Sequence, residues 1–260
     1  MSKELQKTTG TEVSTNVSAG VAGELSNDDV QQGRLAIMQP GSEFVKEEKC
    51  RQGSIVNIYD PEVELAHKGY KDEEAKPLEF MIVGIMKYWI VKDRDTKDFV
   101  AKFPGVNANE LPWEEHVDGK NLARTFHFSY VVILPEEIKD GIEMPYEFAF
   151  RSTAVKETKK LNSVIARMSA KGISSHNRVF KASISQRSNG EDTWWGADLA
   201  VSRDATEEET VTCEKYYNEF NRMKEKFMAQ QDDLDSKVDG AKVKVSGQDA
   251  AAQNLNNVNF

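Results

Sequence analysis

The period of the hydrophobic positions first changes near residue 152. Before that point apolar residues recur at period two. GSIVNIYD (Gly53–Asp60) predicts a strand closed by Asp60-Pro61. PEVELAHKGYKDEEAKP is charged throughout and predicts a loop or a short helix. LEFMIVGIMKYWIVKD (Leu78–Asp93) is the strongest strand signal. Phe80, Ile82, Met86, Tyr88 and Ile90 form one alternate set, and Met81, Val83, Ile85, Trp89 and Val91 the other. Apolar residues on both faces predict a strand central to a sheet or barrel. Its length predicts a bend, with Gly84 as the pivot. DRDTKD then reads as a turn and FVAKF as a short returning strand. The loop FPGVNANELPWEEHVDGKN leads to ARTFHFSYVVILP (Ala123–Pro135), where Phe126, Phe128, Tyr130, Val132 and Leu134 share a face. MPYEFAFR adds Tyr146, Phe148 and Phe150. The first half is therefore a β-rich meander with long loops.

Between Ser152 and Lys171, Leu161, Val164, Ile165 and Met168 recur at helical spacing. Lys156, Lys160, Arg167 and Lys171 fall on the opposite side. Ser152 or Thr153 caps the start of this amphipathic helix and Gly172 ends it. RVFKASISQR (Arg178–Arg187) alternates again, with Phe180, Ala182 and Ile184 inward and Lys181, Ser183, Ser185 and Arg187 outward. SNGED is a hairpin turn and TWWGADLAVSR the returning strand. Asp204 or Thr206 caps a last helix, acidic in its first turn, that runs to about Gln231. Its apolar side holds Tyr216, Tyr217, Phe220, Met223 and Phe227. Residues 1–28 read as a flexible arm, 29–231 as a single β-rich domain and 232–260 as a polar, disordered tail ending in Phe260.

Charge sharpens this picture. The 260 residues carry a net charge of −9, but Arg151–Arg187 holds nine basic residues against one acid, Glu157. The nine are Arg151, Lys156, Lys159, Lys160, Arg167, Lys171, Arg178, Lys181 and Arg187. A polyanion responds to the local field more than to the sum, because screening acts over about 8–10 Å. A hydrophobic share of 39% with no apolar run beyond FMIVGIM excludes a spanning helix. No apolar core of signal-peptide type follows the first Met, which points to a cytoplasm. Cys50 and Cys213 stand far apart and read as free thiols; the scattered His67, His116, His127 and His176 give no metal-ligand spacing. No phosphate-binding loop, HExxH, GxSxG or close Cys–His pair is present, so no enzyme, metal or cofactor is expected.

The basic segment is the chief candidate for function. One reading is a solvated helix face that balances acidic neighbours. The other is a cationic groove, formed by the helix together with the outward face of Arg178–Arg187. Trp194 and Trp195 are adjacent and point to opposite faces of their strand, one to the core and the other to solvent; Tyr88 and Trp89 pose the same alternative. Aromatic faces beside lysines suit single-stranded nucleic acid, since every base has a π-face. The tail reads as a solubilising end, a docking segment for other proteins, or a competitor for the groove.

RLAIMQPGSEFV, GSIVN, IVGIMKYWIV, RSTAVKETKKLNSVI, VFKASISQRSNGEDTWWGADLAV and TEEE, in that order, resemble a family of tailed-bacteriophage single-stranded DNA-binding proteins. The resemblance covers roughly 29–227, and its best motif is Ser152–Ser163. It implies an α+β, β-rich fold: an OB-like, partly open β-barrel with the basic helix and a C-terminal helix added. It also implies coating of exposed strands in phage replication, recombination or transcription, in the cytoplasm of the infected host. Phage or host replication and transcription proteins would then meet the tail at Phe260. The acidic cluster that often precedes such a terminal Phe is replaced here by NNVN. The alternative class is a non-enzymatic phage adaptor or virion component whose basic helix docks on an acidic partner.

Overall fold

A computed structural model describes residues 33–238, apart from 108, 110, 118, 142–143 and 152–153, with the side chains of 117 and 223–238 also left aside. The expected arm, the caps Ser152 and Thr153, and Phe260 lie outside the described residues. Ten strands form one mixed sheet: β1 (Gly33–Ile37), β2 (Ser54–Asn57), β3 (Asp60–His67), β4 (Leu78–Asp93), β5 (Phe99–Pro104), β6 (Glu114–Val117), β7 (Lys120–Ile133), β8 (Tyr146–Arg151), β9 (Arg178–Ser188) and β10 (Thr193–Asp204). The order is β10-β9-β4-β7-β8-β1-β2-β3, with β5 added to β4 and β6 to β7. Among the described strands only β1 and β8 pair in parallel. Four α-helices and a short 3-10 helix (Ser175–Asn177) complete the described chain: α1 (Glu43–Lys46), α2 (Pro135–Lys139), α3 (Val155–Ser169) and α4 (Glu207–Val238).

β4 spans the residues that its pattern predicts, and it is the central strand. One edge pairs with β7 along most of its length; the other pairs with β9 at Leu78–Phe80 and with β5 at Tyr88–Lys92. Its facing differs from strict alternation. A bulge between Ile82 and Gly84 shifts the register against β7. Phe80 and Ile82 therefore share the main core with Ile85 and Trp89, while Met81 and Val83 share the opposite face with Met86. One extra residue reverses the parity of everything after it.

Gly84 also makes room. A Cβ there would sit 2.6 Å from the ring of Phe220, which α4 lays over this face with Cys213. Gly84→Ala is expected to lower stability by about 1–3 kcal/mol through overpacking. A urea midpoint unchanged by this substitution would mean that α4 does not press on β4.

The main core runs from Leu35, Ile55 and Ala66 at one end of the sheet to Phe180, Ala182 and Ala197 at the other. The sheet thus curls around a single core. It is not closed by a ladder. Instead the side-chain amide of Gln39 bridges to β10: its Nε2 donates to the Trp195 carbonyl at 2.9 Å, and its Oε1 accepts from the Trp195 N–H at 2.8 Å.

Two strands appear where the pattern predicts loop. β3 is charged because it is the outermost strand, where Pro61 and glutamates are tolerated. β6 lies inside the predicted long loop; it turns back on β7, with Gly119 at a φ of 77°. Pro135 begins α2 rather than ending a strand.

α3 buries Val155, Thr158 and Leu161, while Val164, Ile165 and Met168 are only half-buried. The packed face is thus rotated toward the helix start. The core Tyr130 holds it from below, its hydroxyl donating to Asn162 Oδ1 at 2.8 Å. Gly172, at a φ of 74°, ends the helix, and the Ile173 N–H closes on the Met168 carbonyl at 3.0 Å.

α4 opens with a reciprocal capping box. The Thr206 N–H donates to Glu209 Oε2 at 2.8 Å, and the Glu209 N–H donates to Thr206 Oγ1 at 3.2 Å. Asp204, the other cap expected, pairs instead with Arg178. The helix continues to Val238, past the expected end at Gln231. On its predicted apolar side Phe220 is buried, but Tyr217 is 40% exposed and packs at a tilt against His176. Met223 and Phe227 fall outside the described side chains. Cys50 and Cys213 are both free and buried.

Candidate nucleic-acid interface

Helical periodicity places Lys156, Lys159, Lys160, Arg167 and Lys171 on the outer side of α3 and its end, and all five are exposed. They are not equivalent. Lys160 Nζ lies 3.0 Å from Glu157, the single acid of the segment. Arg167 donates back to the Ser163 carbonyl of its own helix at 3.2 Å. Among the described residues, Arg151, Lys156, Lys159, Arg167, Lys171 and Lys181 have no carboxylate at ion-pair distance. Exposed cations without acid partners are the ones whose field reaches a ligand.

The strand expected to complete a positive groove is compensated instead. Arg187 Nη2 lies 2.6 Å from Asp198 Oδ1, and Arg187 Nη1 lies 3.6 Å from Glu157. Ser185 Oγ donates to Asp198 Oδ2 at 2.7 Å. Lys181 stands opposite Glu79 in the β4–β9 register, but Glu79 pairs with Arg203, so Lys181 is the one cation of the strand left without an acid at ion-pair distance among the described residues. Arg178 is paired with Asp204. Helix and strand do meet, but through Glu157, so the acid joins them rather than a shared positive surface. The run of basic residues fails as a groove predictor because strand partners brought by register are invisible in it.

Tyr88 and Trp89 do not serve as stacking platforms. They are 2% and 0% exposed. Trp89 packs edge-on against Phe126 at 5.3 Å in the main core. Tyr88 lies on the other face and stacks on His127 at 5.1 Å, with burial and the neighbouring Glu147 pushing its phenol well above its usual range.

Trp194 and Trp195 are both half-buried, so neither is the core member of a core-and-solvent pair. Trp194 is the cross-strand partner of Arg187, whose stem lies over Gly196; a Cβ there would meet Arg187 at 3.1 Å. Trp195 faces the opposite way. Gln39 fixes its backbone, and Lys68 Nζ sits 4.0 Å from its ring centroid. Lys68 also reaches toward Tyr70 at 5.6 Å, and the Arg51 guanidinium covers Tyr70 at 3.8 Å. Aromatic rings and cations thus alternate in the order Trp195, Lys68, Tyr70, Arg51. Arg51 is committed to Glu64 and Glu73. Its hydrogen bonds to these acids raise its pKa further, and although burial pushes the Glu64 carboxyl up, Arg51 holds it below the usual carboxylate range. An open cleft of about 760 Å³ lies beside Tyr70, where Lys49, Arg51 and Lys68 face Glu48, Glu62 and Glu64.

Lys68, Tyr70 and Arg51 carry no signal in the sequence. They sit in segments that read as charged loop, and only the curl of the sheet brings residues 51, 68 and 70 to residue 195. No helix among the described residues is long and apolar enough to cross a membrane. Compared with protein-family models, with curated proteins and with solved structures, the chain finds no match in any of the three.

Proposed function

We propose that this protein binds single-stranded DNA without reading its sequence and acts as a coating protein of a tailed bacteriophage. The observation that carries the reading is the half-buried tryptophan pair of β10. Trp195 is held rigidly beneath Lys68, while Trp194 is paired with Arg187 beside the start of α3. Lys156, Lys159, Arg167 and Lys171 supply phosphate contacts from that helix, and base stacking adds the non-electrostatic part. The acidic remainder of the chain, −17 outside Arg151–Arg187, repels duplex from other surfaces. The resemblance over roughly 29–227 points the same way. A sheet curled about its main core, with the segment after β1 joined to β10 by Gln39, supports an OB-like, partly open barrel as the finer architecture. In this reading the protein works in the cytoplasm of the infected host, and its tail, with Phe260, recruits replication or transcription proteins.

A second reading has its own support. The compensated β9 leaves α3 as a basic face without a groove, which suits docking on an acidic protein. Oligothymidylate titration followed by tryptophan fluorescence separates the two. Binding at low salt that weakens steeply as salt rises supports the DNA reading; absence of binding at low salt ends it. Trp195→Ala is expected to weaken binding by about 1–3 kcal/mol, roughly 5- to 150-fold, with Trp195→Phe retaining most of the affinity. Equal affinity for the Ala variant would remove Trp195 from the interface.

A further inference from the structure

A second cationic patch lies on the opposite side of the sheet from the main core. Three strands bring charged groups to His127 of β7: Arg34 of β1, Lys102 of β5, and Glu147 and Arg151 of β8; Tyr88 of a fourth, β4, stacks on its ring. His127 and Arg151 are direct cross-strand partners. Glu147 is the acid of this group, and its oxygens are already engaged. Tyr88 Oη and Ser129 Oγ both donate to its Oε1, the latter at 2.9 Å, and Arg34 Nε lies 4.0 Å from its Oε2. Lys102 Nζ sits 4.2 Å from the Tyr88 ring centroid and has no carboxylate at ion-pair distance among the described residues; nor has Arg151. His127 is 4% exposed, and its Nδ1 has no hydrogen-bond partner among the described residues.

Three cations therefore face one committed carboxylate on a partly dehydrated surface. Withdrawing cations from water without an anion is costly. The same crowding acts on protonation: burial holds Lys102 below its usual range, and burial together with Arg34, Arg151 and Lys102 holds His127 down to about 4. The patch is reachable, since the Arg34 side chain is 39% exposed and Arg151 is exposed.

We propose that Arg34, Lys102 and Arg151 form an oxyanion site that takes a phosphate group, with His127 packed beneath it as the residue that senses occupancy. Arg151 ends β8 just ahead of α3, so the phosphate can come from a nucleic-acid backbone lying on that helix or from a free phosphate. The site does not require the Trp195 interface to be correct. An anion here offsets the positive field that keeps His127 neutral, so His127 takes up its proton more readily and binding tightens as pH falls.

The test follows the His127 ring by NMR, assigned with His127→Gln, from pH 7 to pH 4. It is run with the full chain alone, with pyrophosphate, and with oligothymidylate. An occupied site is expected to raise the His127 midpoint by about one pH unit. Lys102→Met keeps the stem over Tyr88 and should abolish the response. Arg151→Gln, at an exposed position, should weaken it and serves if the Lys102 variant does not fold. A shift with pyrophosphate alone supports a free-phosphate site; a shift with oligothymidylate supports the backbone source. If neither ligand moves His127, the site is overturned. If oligothymidylate changes tryptophan fluorescence while both leave His127 unmoved, this site falls and the Trp195 interface stands.

Discussion

Replacing Lys156, Lys159 and Lys171 together with Glu is expected to lower oligothymidylate affinity at least about a hundredfold at 0.1 M salt. Each phosphate contact to a single strand adds about 0.7 to the slope of log affinity against log salt, so three lost contacts flatten it by about 2. At 0.1 M that loss amounts to about two decades, and the reversed charges add repulsion. These three lysines are exposed and have no acid partner among the described residues, so nothing shields their field. Lys160→Gln is the internal control. Its ammonium already lies 3.0 Å from Glu157, and exposed pairs of this kind contribute little to stability. The helix should persist in the triple variant, because Glu is a good helix former and the packed positions are Val155, Thr158 and Leu161. Circular dichroism checks that point. A triple variant that binds as well as the parent, with the same salt slope, would place the DNA elsewhere.

Trp89→Ala should act on stability and not on binding. The ring is fully buried, packed against Phe126 and 6.4 Å from Trp113. Removing it from the core is expected to cost about 3–5 kcal/mol, read from a urea titration. Trp89→Phe should cost less, because the indole Nε1 has no hydrogen-bond partner among the described residues and its removal leaves none of them newly unpaired. A folded Ala variant with unchanged stability and weakened DNA binding would reverse this assignment and restore Trp89 to the interface.

These two cases mark what the chain discloses about itself. The double-sided pattern of Leu78–Asp93 located the central strand, and the aromatic alternation of Phe126–Leu134 and Tyr146–Phe150 located the core. Both depend on local periodicity, which the sequence carries directly. The facing of Trp89 did not follow, because the bulge before Gly84 is a property of two strands together. β3 was hidden for a different reason: an outermost strand has no need of apolar residues on both faces. The amphipathic α3 was legible, with its buried face displaced by about one turn. The site was the least legible part. The offsetting of Arg187 by Asp198 and Glu157, and the ladder from Trp195 to Arg51, join positions that are distant in the chain.

The parallel pairing of β1 with β8 sets an order of events for the nascent chain. Gly33 pairs with Tyr146, and a Cβ at Gly33 would fall 2.4 Å from the Tyr146 ring, so the two strands are closely fitted. Joining them closes a loop of about 110 residues, an entropy cost that grows only with the logarithm of length but must be met before the contact is rewarded. β1, β2 and β3 leave the ribosome first, yet their seat on the sheet is absent until β8 has been made. Until then Leu35 and Ile55 are without the core that covers them. Refolding should therefore show a late step in which the N-terminal meander docks, and synthesis at the ribosome should leave these strands waiting for the middle of the chain.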